Sequence, residues 1–195
     1  MNTTSATTSP AAAPLPSPAT ASRWAIDASH SSVSFSVRHM MISNVRGEFQ
    51  KVVGDVVYDP KNVGASKLAV TIDVGSISTR DGKRDAHLLS ADFFDAATHP
   101  TITFAATSVK RHGDGLDIVG DLTIRGATRE VTLKVDELTD EQKDPYGNRR
   151  VGATAAVKIR RSDFGLSWNA VLETGGVLVG DEIGVSLDIQ LIKQA

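Results

Sequence analysis

Four of the five histidines are the side chains best suited to chemistry in this chain of 195 residues. Imidazole can act as a general base near neutral pH, and it is the commonest ligand of transition metals. The four are His30, His39, His87 and His99, and they are separated by nine, forty-eight and twelve positions. These intervals match no local metal-binding motif such as H-E-x-x-H. We therefore predict no metal site and no cofactor.

His39 ends a segment in which apolar and polar residues alternate. It has the same odd-numbered parity as Phe35 and Val37, so the alternation predicts that its side chain points inward at the end of a strand. There it could contact the polar part of a ligand. The alternative is a hydrogen-bonded structural histidine.

His87 belongs to a charged cluster with Arg84, Asp85 and Asp92. In a functional interpretation, Arg84 or His87 contacts an anionic group, for which a planar guanidinium is well suited. We favour an internal network of Arg84, Asp85 and Asp92 that fixes this segment. A third possibility is an enzyme in which His39 or His87 acts as general base and Asp85 or Asp92 orients it.

The composition excludes several classes of protein. Without cysteine the chain can form no disulfide, iron–sulfur cluster, thiol nucleophile or covalent haem attachment. Its 21 basic and 23 acidic residues lack the positive field of a nucleic-acid-binding protein. No segment approaches the ~18 uncharged apolar residues of a transmembrane helix, so we predict no membrane span.

Residues 1–22 differ in composition from the rest of the chain. They are almost entirely Thr, Ser, Ala and Pro, carry no charge, and include four of the seven prolines. Such a segment has too little apolar surface to offset its ordering entropy, so we predict a disordered arm followed by one domain over 23–195. A secretory signal needs a basic region before an apolar run of ~7–15 residues, which is missing. A cytoplasmic location is therefore expected.

Strict alternation predicts β-strands throughout the domain. In Ser32-Val33-Ser34-Phe35-Ser36-Val37 the apolar residues fall on odd positions, which is the period of a half-buried strand. Eight segments pass this test: 32–39, 45–58 with a bulge near Gly54, 68–74, 102–106, 116–124, 131–135, 151–159 and 183–191.

The connections between these segments are short. Sequences such as Arg125-Gly126-Ala127-Thr128 leave no room for a crossover helix, so the strands are predicted to be antiparallel. One longer segment, 81–97, predicts a short helical insertion that begins at Asp81 or Gly82.

Eight antiparallel strands can close into an up-and-down barrel or fold as a sandwich, and small residues at inward positions bear on the choice. We assigned seven small residues to inward positions: Gly47, Ala69, Ala106, Gly120, Ala153, Ala155 and Gly184. They predict an elongated apolar cavity, because a barrel of ~8 strands can hold one small ligand. The alternative is that bulky neighbours collapse onto these positions.

The domain as a whole resembles the YceI-like family of polyisoprenoid-binding, lipocalin-like proteins. The resemblance rests on motifs in family order: Trp24 to Asp27, His30-Ser31, Gly47-Glu48-Phe49, Arg84-Asp85-Ala86-His87, Asp92-Phe93-Phe94-Asp95, Gly120-Asp121-Leu122-Thr123-Ile124, Arg161-Ser162-Asp163-Phe164-Gly165 and Val179-Gly180-Asp181. It extends from Trp24 to Ile192.

The resemblance implies an all-β, extended eight-stranded antiparallel barrel that encloses the tail of a polyisoprenoid, isoprenoid quinone or fatty-acyl derivative. It implies no established reaction and a possible homodimer. Many members of the family have a signal peptide and work in the periplasm. This chain differs from that pattern, because residues 1–22 do not have the sequence pattern of a signal peptide. The expected cavity lining is Phe35, Val37, Phe49, Phe104, Ile124, Phe164, Trp168 and Val185, with His39, Arg84 and His87 as candidates for contact with the head group.

Overall fold

The structure is a computed structural model that describes residues 21–171 and 176–194. Most of the predicted disordered arm, residues 1–20, therefore lies outside the described residues. The described part of that segment is Ala21 and Ser22, and Ser22 is already the first residue of a strand that pairs with Tyr58.

The described residues form one antiparallel sheet and one α-helix. The strands are β1 (Ser22–Ile26), β2 (Ser32–His39), β3 (Ser43–Phe49), β4 (Val52–Tyr58), β5 (Lys67–Asp73), β6 (Ile77–Ser78), β7 (Thr101–His112), β8 (Gly115–Ile124), β9 (Ala127–Leu138), β10 (Gln142–Lys143), β11 (Arg149–Arg160) and β12 (Val179–Lys193). The helix is α1 (Gly82–Leu89), and short 3₁₀ turns lie at Ala28–His30, Val63–Ala65, Val74–Ser76 and Arg161–Phe164.

These segments build a closed barrel of eight strands. β1 and β2 run end to end along β12, β3 and β4 follow them in the same way, and β5 and β6 form the next bent strand. β7, β8 and β9 continue the sheet, and β11 closes it by pairing with both β9 and β12. The predicted eight-stranded antiparallel barrel is therefore confirmed.

The predicted bulge near Gly54 is wrong, because Gly54 pairs with Val70 in regular register. The irregularity lies earlier, at Gln50 and Lys51, between β3 and β4. The backbone N–H groups of both residues donate to Ser76, Gln50 to its carbonyl oxygen (3.2 Å) and Lys51 to its hydroxyl oxygen (3.0 Å). Two neighbouring strands thus bend at the same level of the barrel.

The helical insertion covers one end of the barrel, which we call the lower end. α1 begins where the Asp81 carboxylate accepts the backbone N–H groups of Lys83 and Arg84, a typical N-cap arrangement. The helix ends at Leu89, and the rest of the predicted insertion forms turns that fold back onto it, with the Phe94 N–H bonded to the Leu88 carbonyl (3.0 Å). Leu88 and Phe94 consequently face the barrel interior.

Candidate functional site

The interior of the barrel contains two adjoining apolar chambers. The lower chamber lies beneath the insertion and has a volume of about 180 Å³, and the upper chamber lies toward the opposite end and has a volume of about 130 Å³. Both are lined by Val33, Val70, Leu133 and Leu187, so the chambers adjoin along the barrel. Their walls expose almost only carbon atoms.

Aromatic rings dominate the lower chamber, because all six phenylalanines of the chain line it. The ring of Phe49 lies 5.7 Å from that of Phe35 and 6.0 Å from that of Phe94, which are favourable distances for aromatic contacts. Seven residues that the sequence predicted as cavity lining are found here: Phe35, Val37, Phe49, Phe104, Ile124, Phe164 and Val185.

Trp168, the eighth predicted lining residue, is not among the residues that line either chamber. It packs against the outer side of the insertion, with its ring 4.8 Å from His87 and 5.3 Å from Phe93. Strand alternation does not reach this residue, because β11 has already ended at Arg160.

The small inward residues have three different fates. A Cβ atom at Gly47 would lie 2.4 Å from Phe35 Cζ, and one at Gly120 would lie 2.5 Å from Phe104 Cζ. At both positions an aromatic ring fills the space. The alternative prediction, that bulky neighbours pack onto the small inward residues, is therefore correct at Gly47 and Gly120. Ala153 and Ala155 instead line the upper chamber.

Ala69 and Gly184 were wrongly assigned to the interior. Each alternates with a residue that lines a chamber, Val70 and Val185 respectively, and therefore faces outward. The small size of these two residues therefore adds no volume to the cavity.

The upper chamber is lined mainly by aliphatic side chains, together with Trp24, Tyr58, Ser66 and Lys67. Trp24 is 3% exposed, and its indole N–H has no hydrogen-bond partner among the described residues. The ammonium of Lys193 lies 5.4 Å from the centre of the Trp24 ring, within the range of a cation–π contact.

The structure places the three head-group candidates outside the chamber walls. His39, at the end of β2, is half-buried beside Val37 but does not line either chamber. Arg84 donates from Nε to the Thr79 hydroxyl (2.7 Å) and from Nη2 to the Thr79 carbonyl (2.9 Å). Its guanidinium is therefore already hydrogen-bonded to a neighbouring residue. His87 bonds through Nε2 to Asp92 (2.9 Å).

The internal network expected for the insertion exists with different members. Thr79, which is 5% exposed, links Arg84 to Asp85, whose carboxylate accepts the Thr79 backbone N–H (2.9 Å). Asp92 pairs with His87 instead of joining Arg84 and Asp85, which corrects the predicted network. The His87–Asp92 pair is the base and carboxylate that the enzyme alternative requires, but neither residue lines a chamber.

Arg161 is a wall residue that the sequence interpretation missed. It is 7% exposed and donates to four backbone carbonyls, among them those of Trp168 (2.8 Å) and Gly180 (2.9 Å). Burial lowers the pKa of its guanidinium. Arg161 holds together the loops that follow β11 and precede β12. Its odd parity, shared with Ile159, was the signal that could have placed it inward.

A second polar cluster lies on the outer surface near the upper end, around Arg150. Arg150 donates to Asp27, to Asp144 (2.7 Å) and to Gln190 (3.0 Å). Hydrogen bonds from Ser29 and Arg150 hold the pKa of the Asp27 carboxyl well below its ordinary value, and Arg150 and Asn148 do the same for Asp144. The cluster joins the first 3₁₀ turn to the β10–β11 hairpin.

The histidines do not converge in space. Over residues 21–171 and 176–194, no group of three His, Asp or Glu side chains could hold a metal ion. Among the helices in the described part of the chain, none is long and apolar enough to cross a membrane.

Comparison with known proteins agrees with this architecture. Protein YceI of Escherichia coli O17:K52:H18 is 43% identical over 137 residues, which are 70% of this chain and 71% of that protein. The crystal structure of BcnA from Burkholderia cenocepacia superposes with a TM-score of 0.74 at 25% identity, covering 85% of this chain and 98% of BcnA. A polyisoprenoid binding domain from Saccharophagus degradans shares the fold, with a TM-score of 0.61 at 15% identity over 88% of this chain and 98% of that one.

The family model of the YceI-like domain matches residues 24–191, which include every strand from the middle of β1 to most of β12. The matched region contains both chambers, the insertion that covers the lower one and the buried Arg161. This match of the family model, together with a relative that is 43% identical, shows that the chain belongs to the YceI-like family.

Proposed function

We propose that this chain is a non-catalytic binding protein that encloses the hydrocarbon tail of a long-chain amphiphile. The candidates are a polyisoprenoid, an isoprenoid quinone or a fatty-acyl derivative, which the protein stores or carries. One observation supports this most strongly: two adjoining chambers inside the barrel have walls of carbon atoms. The chain also belongs to the YceI-like family, whose resemblance implied ligands of this kind, and this membership supports the same proposal.

The energetics of such a site favour a long apolar tail. Burial of each CH₂ group contributes ~0.8 kcal/mol, so a tail of about a dozen carbons contributes about 10 kcal/mol, which is comparable to the roughly 4–15 kcal/mol that association costs. Selectivity between tails is weak, because one methylene in an apolar pocket discriminates by only ~1–3 kcal/mol. The polar end of the ligand must find its contacts elsewhere, since the chamber walls expose almost no polar atoms to it.

Extraction of the purified protein with organic solvent, followed by mass spectrometry, tests the proposal directly. We expect a long-chain isoprenoid or acyl lipid in the extract. The delipidated protein should then bind a naphthoquinone that carries a four-unit prenyl tail, with quenching of the indole emission. If extraction yields no lipid and the quinone leaves the emission unchanged, the proposal is wrong.

A pair of matched variants shows whether the chambers are the binding site. Ala155 lines the upper chamber, whereas Ala105 lies on the outer face of β7. Ala155→Leu fills the chamber with about three extra carbons, and we expect at least a tenfold weaker affinity for the prenylated quinone. Ala105→Leu adds the same atoms outside and should leave the affinity unchanged. Equal effects of the two variants would place the ligand outside the barrel.

A further inference from the structure

The wall of the barrel is incomplete between β9 and β11. The ladder between these strands joins Ala153 to Ala156 of β11 with Lys134 to Leu138 of β9 and extends no further, although every residue of both strands is described. On their other sides both strands stay paired, β9 with β8 from Ala127 and β11 with β12 as far as Arg160. Residues 127–133 and 157–160 thus flank a gap in the wall.

An outer groove of about 830 Å³ lies over this gap. Five of its lining residues also line the lower chamber: Val131, Val157, Ile159, Phe164 and Val185. Val131 lies on one side of the gap, and Val157 and Ile159 lie on the other. The groove and the lower chamber therefore adjoin through the gap.

Side chains cover the lower end of the barrel and narrow its upper end. Leu88, Phe93 and Phe94 of the insertion cover the lower end, and Phe93 is 6% exposed. A buried cluster that contains Trp24 and Leu191 narrows the upper end. Within the described part of the molecule, the gap in the side wall offers a hydrocarbon tail inside the lower chamber a route to polar surroundings.

We propose that the amphiphile enters sideways between β9 and β11 and that its polar end remains in the groove outside the gap. This inference rests on the proposed function, because it concerns where that ligand crosses the wall. A polar group left inside the chambers would lose its hydration without gaining a hydrogen bond, and that cost favours the groove. Along residues 127–133, the backbone groups of β9 that point away from β8 have no strand partner among the described residues and can bond the head group there.

The charges of the groove indicate the class of head group. Its lining contains four basic side chains, Arg129, Lys134, Lys158 and Arg160, and an equal number of acidic ones. Lys158 is already paired with Glu182 at 2.9 Å. A groove with balanced charge favours an uncharged head group with hydrogen-bonding oxygens, such as a quinone or an alcohol, over a diphosphate.

A reversible crosslink across the gap tests the route. The chain has no cysteine, so pairs of engineered cysteines react alone. Thr132→Cys with Lys158→Cys places one thiol on each side of the gap, at outward positions that continue the register of Ala156 and Lys134. Glu137→Cys with Thr154→Cys is the matched control, because these two residues are partners in the closed part of the same ladder. A bis-maleimide with a disulfide in its spacer joins either pair and is cut by reductant.

The readout is the rate at which the prenylated naphthoquinone quenches the indole emission. We expect the crosslink across the gap to slow uptake at least tenfold, reduction to restore the rate, and the control crosslink to change it less than twofold. Equal rates in the two crosslinked proteins would overturn the sideways route. If the protein without crosslinks binds no quinone, the proposed function itself fails.

A second measurement tests the head-group class. The prenyl alcohol and the prenyl diphosphate of equal tail length are compared by displacement of the quinone. We expect the diphosphate to bind at least tenfold more weakly than the alcohol. A diphosphate that binds more tightly would overturn the assignment of an uncharged head group while leaving the route intact.

Discussion

The two chambers lie in the same barrel, yet they differ in composition and packing. In the lower chamber, rings of Phe35 and Phe104 lie over glycines of neighbouring strands, and the insertion adds further aromatic side chains. In the upper chamber, alanines and branched aliphatic residues leave space that no ring fills. The alternating pattern is the same at both levels. What differs is the size of the inward residues. In the lower, aromatic region rings fill the space beside the small residues, whereas in the upper, mainly aliphatic region that space stays open.

Removal of an aromatic side chain should have the largest effect on stability. Phe164 is 2% exposed and lines the lower chamber, so Phe164→Ala should lower the free energy of unfolding by ~3–5 kcal/mol. Val151→Ala in the upper chamber should cost about 2 kcal/mol, since it removes only two carbons. Urea unfolding followed by circular dichroism measures both. A larger loss for Val151→Ala would reverse the contrast between the chambers.

Addition of carbon atoms should have opposite signs in the two chambers. At Gly120 a new Cβ would lie 2.5 Å from both the Ala105 carbonyl oxygen and Phe104 Cζ, so Gly120→Ala should destabilise the fold by ~1–3 kcal/mol. Ala155→Val adds two carbons to open space and should stabilise it by about 0.5–2 kcal/mol. Thermal unfolding of both variants without ligand tests this. Stabilisation by Gly120→Ala would show that the recess is open.

Acid should loosen the upper end of the barrel through the Arg150 cluster. The pKa values of Asp27 and Asp144 are lowered in the folded protein, so their contribution to stability is present above the unfolded value of about 3.9 and is lost as the pH falls. Arg150→Met removes the shared partner. We expect the melting temperature of the variant to depend less on pH than that of the wild type between about pH 5 and pH 2.

Two single-tryptophan proteins locate this acid effect. Trp24 reports on the upper end, and Trp168 reports on the insertion at the lower end. With Trp168→Phe or Trp24→Phe as background, we expect the Trp24 emission to change at higher pH than the Trp168 emission. Simultaneous changes at both ends would show that the barrel responds to acid as one unit.

The turn between β2 and β3, at the lower end, should give the smallest effect. Met40 and Met41 both have positive φ angles, 51° and 61°, which suit Asn and Gly better than a residue with a long side chain. Both methionines are exposed, so Met40→Asn with Met41→Gly should raise the free energy of unfolding by about 1 kcal/mol. Met41→Ala, which keeps the unfavourable φ, is the control and should give no increase.

Alternation in the sequence was sufficient to predict the strands and the lining residues that lie on them, because the side of a strand follows from parity alone. It left a barrel and a sandwich open, and the resemblance to the YceI-like family implied the barrel. The alternating pattern could not predict that the Phe35 and Phe104 rings turn onto Gly47 and Gly120, since this depends on rotamers and on neighbours distant in the chain. Alternation could not predict the position of Trp168 either, because that residue follows a 3₁₀ turn. The gap between β9 and β11 has no local pattern, as both strands alternate through it.

The closure of the barrel also has a consequence for how the chain folds. Trp24 pairs with Lys193 and Ser32 with Asp188, so strands from the two ends of the described chain are neighbours. Contacts between residues so distant in sequence slow folding. During synthesis, the apolar faces of the earlier strands cannot be fully enclosed until β12 has left the ribosome, and such surfaces are prone to aggregate. The barrel acquires an interior only after its last strand has been made.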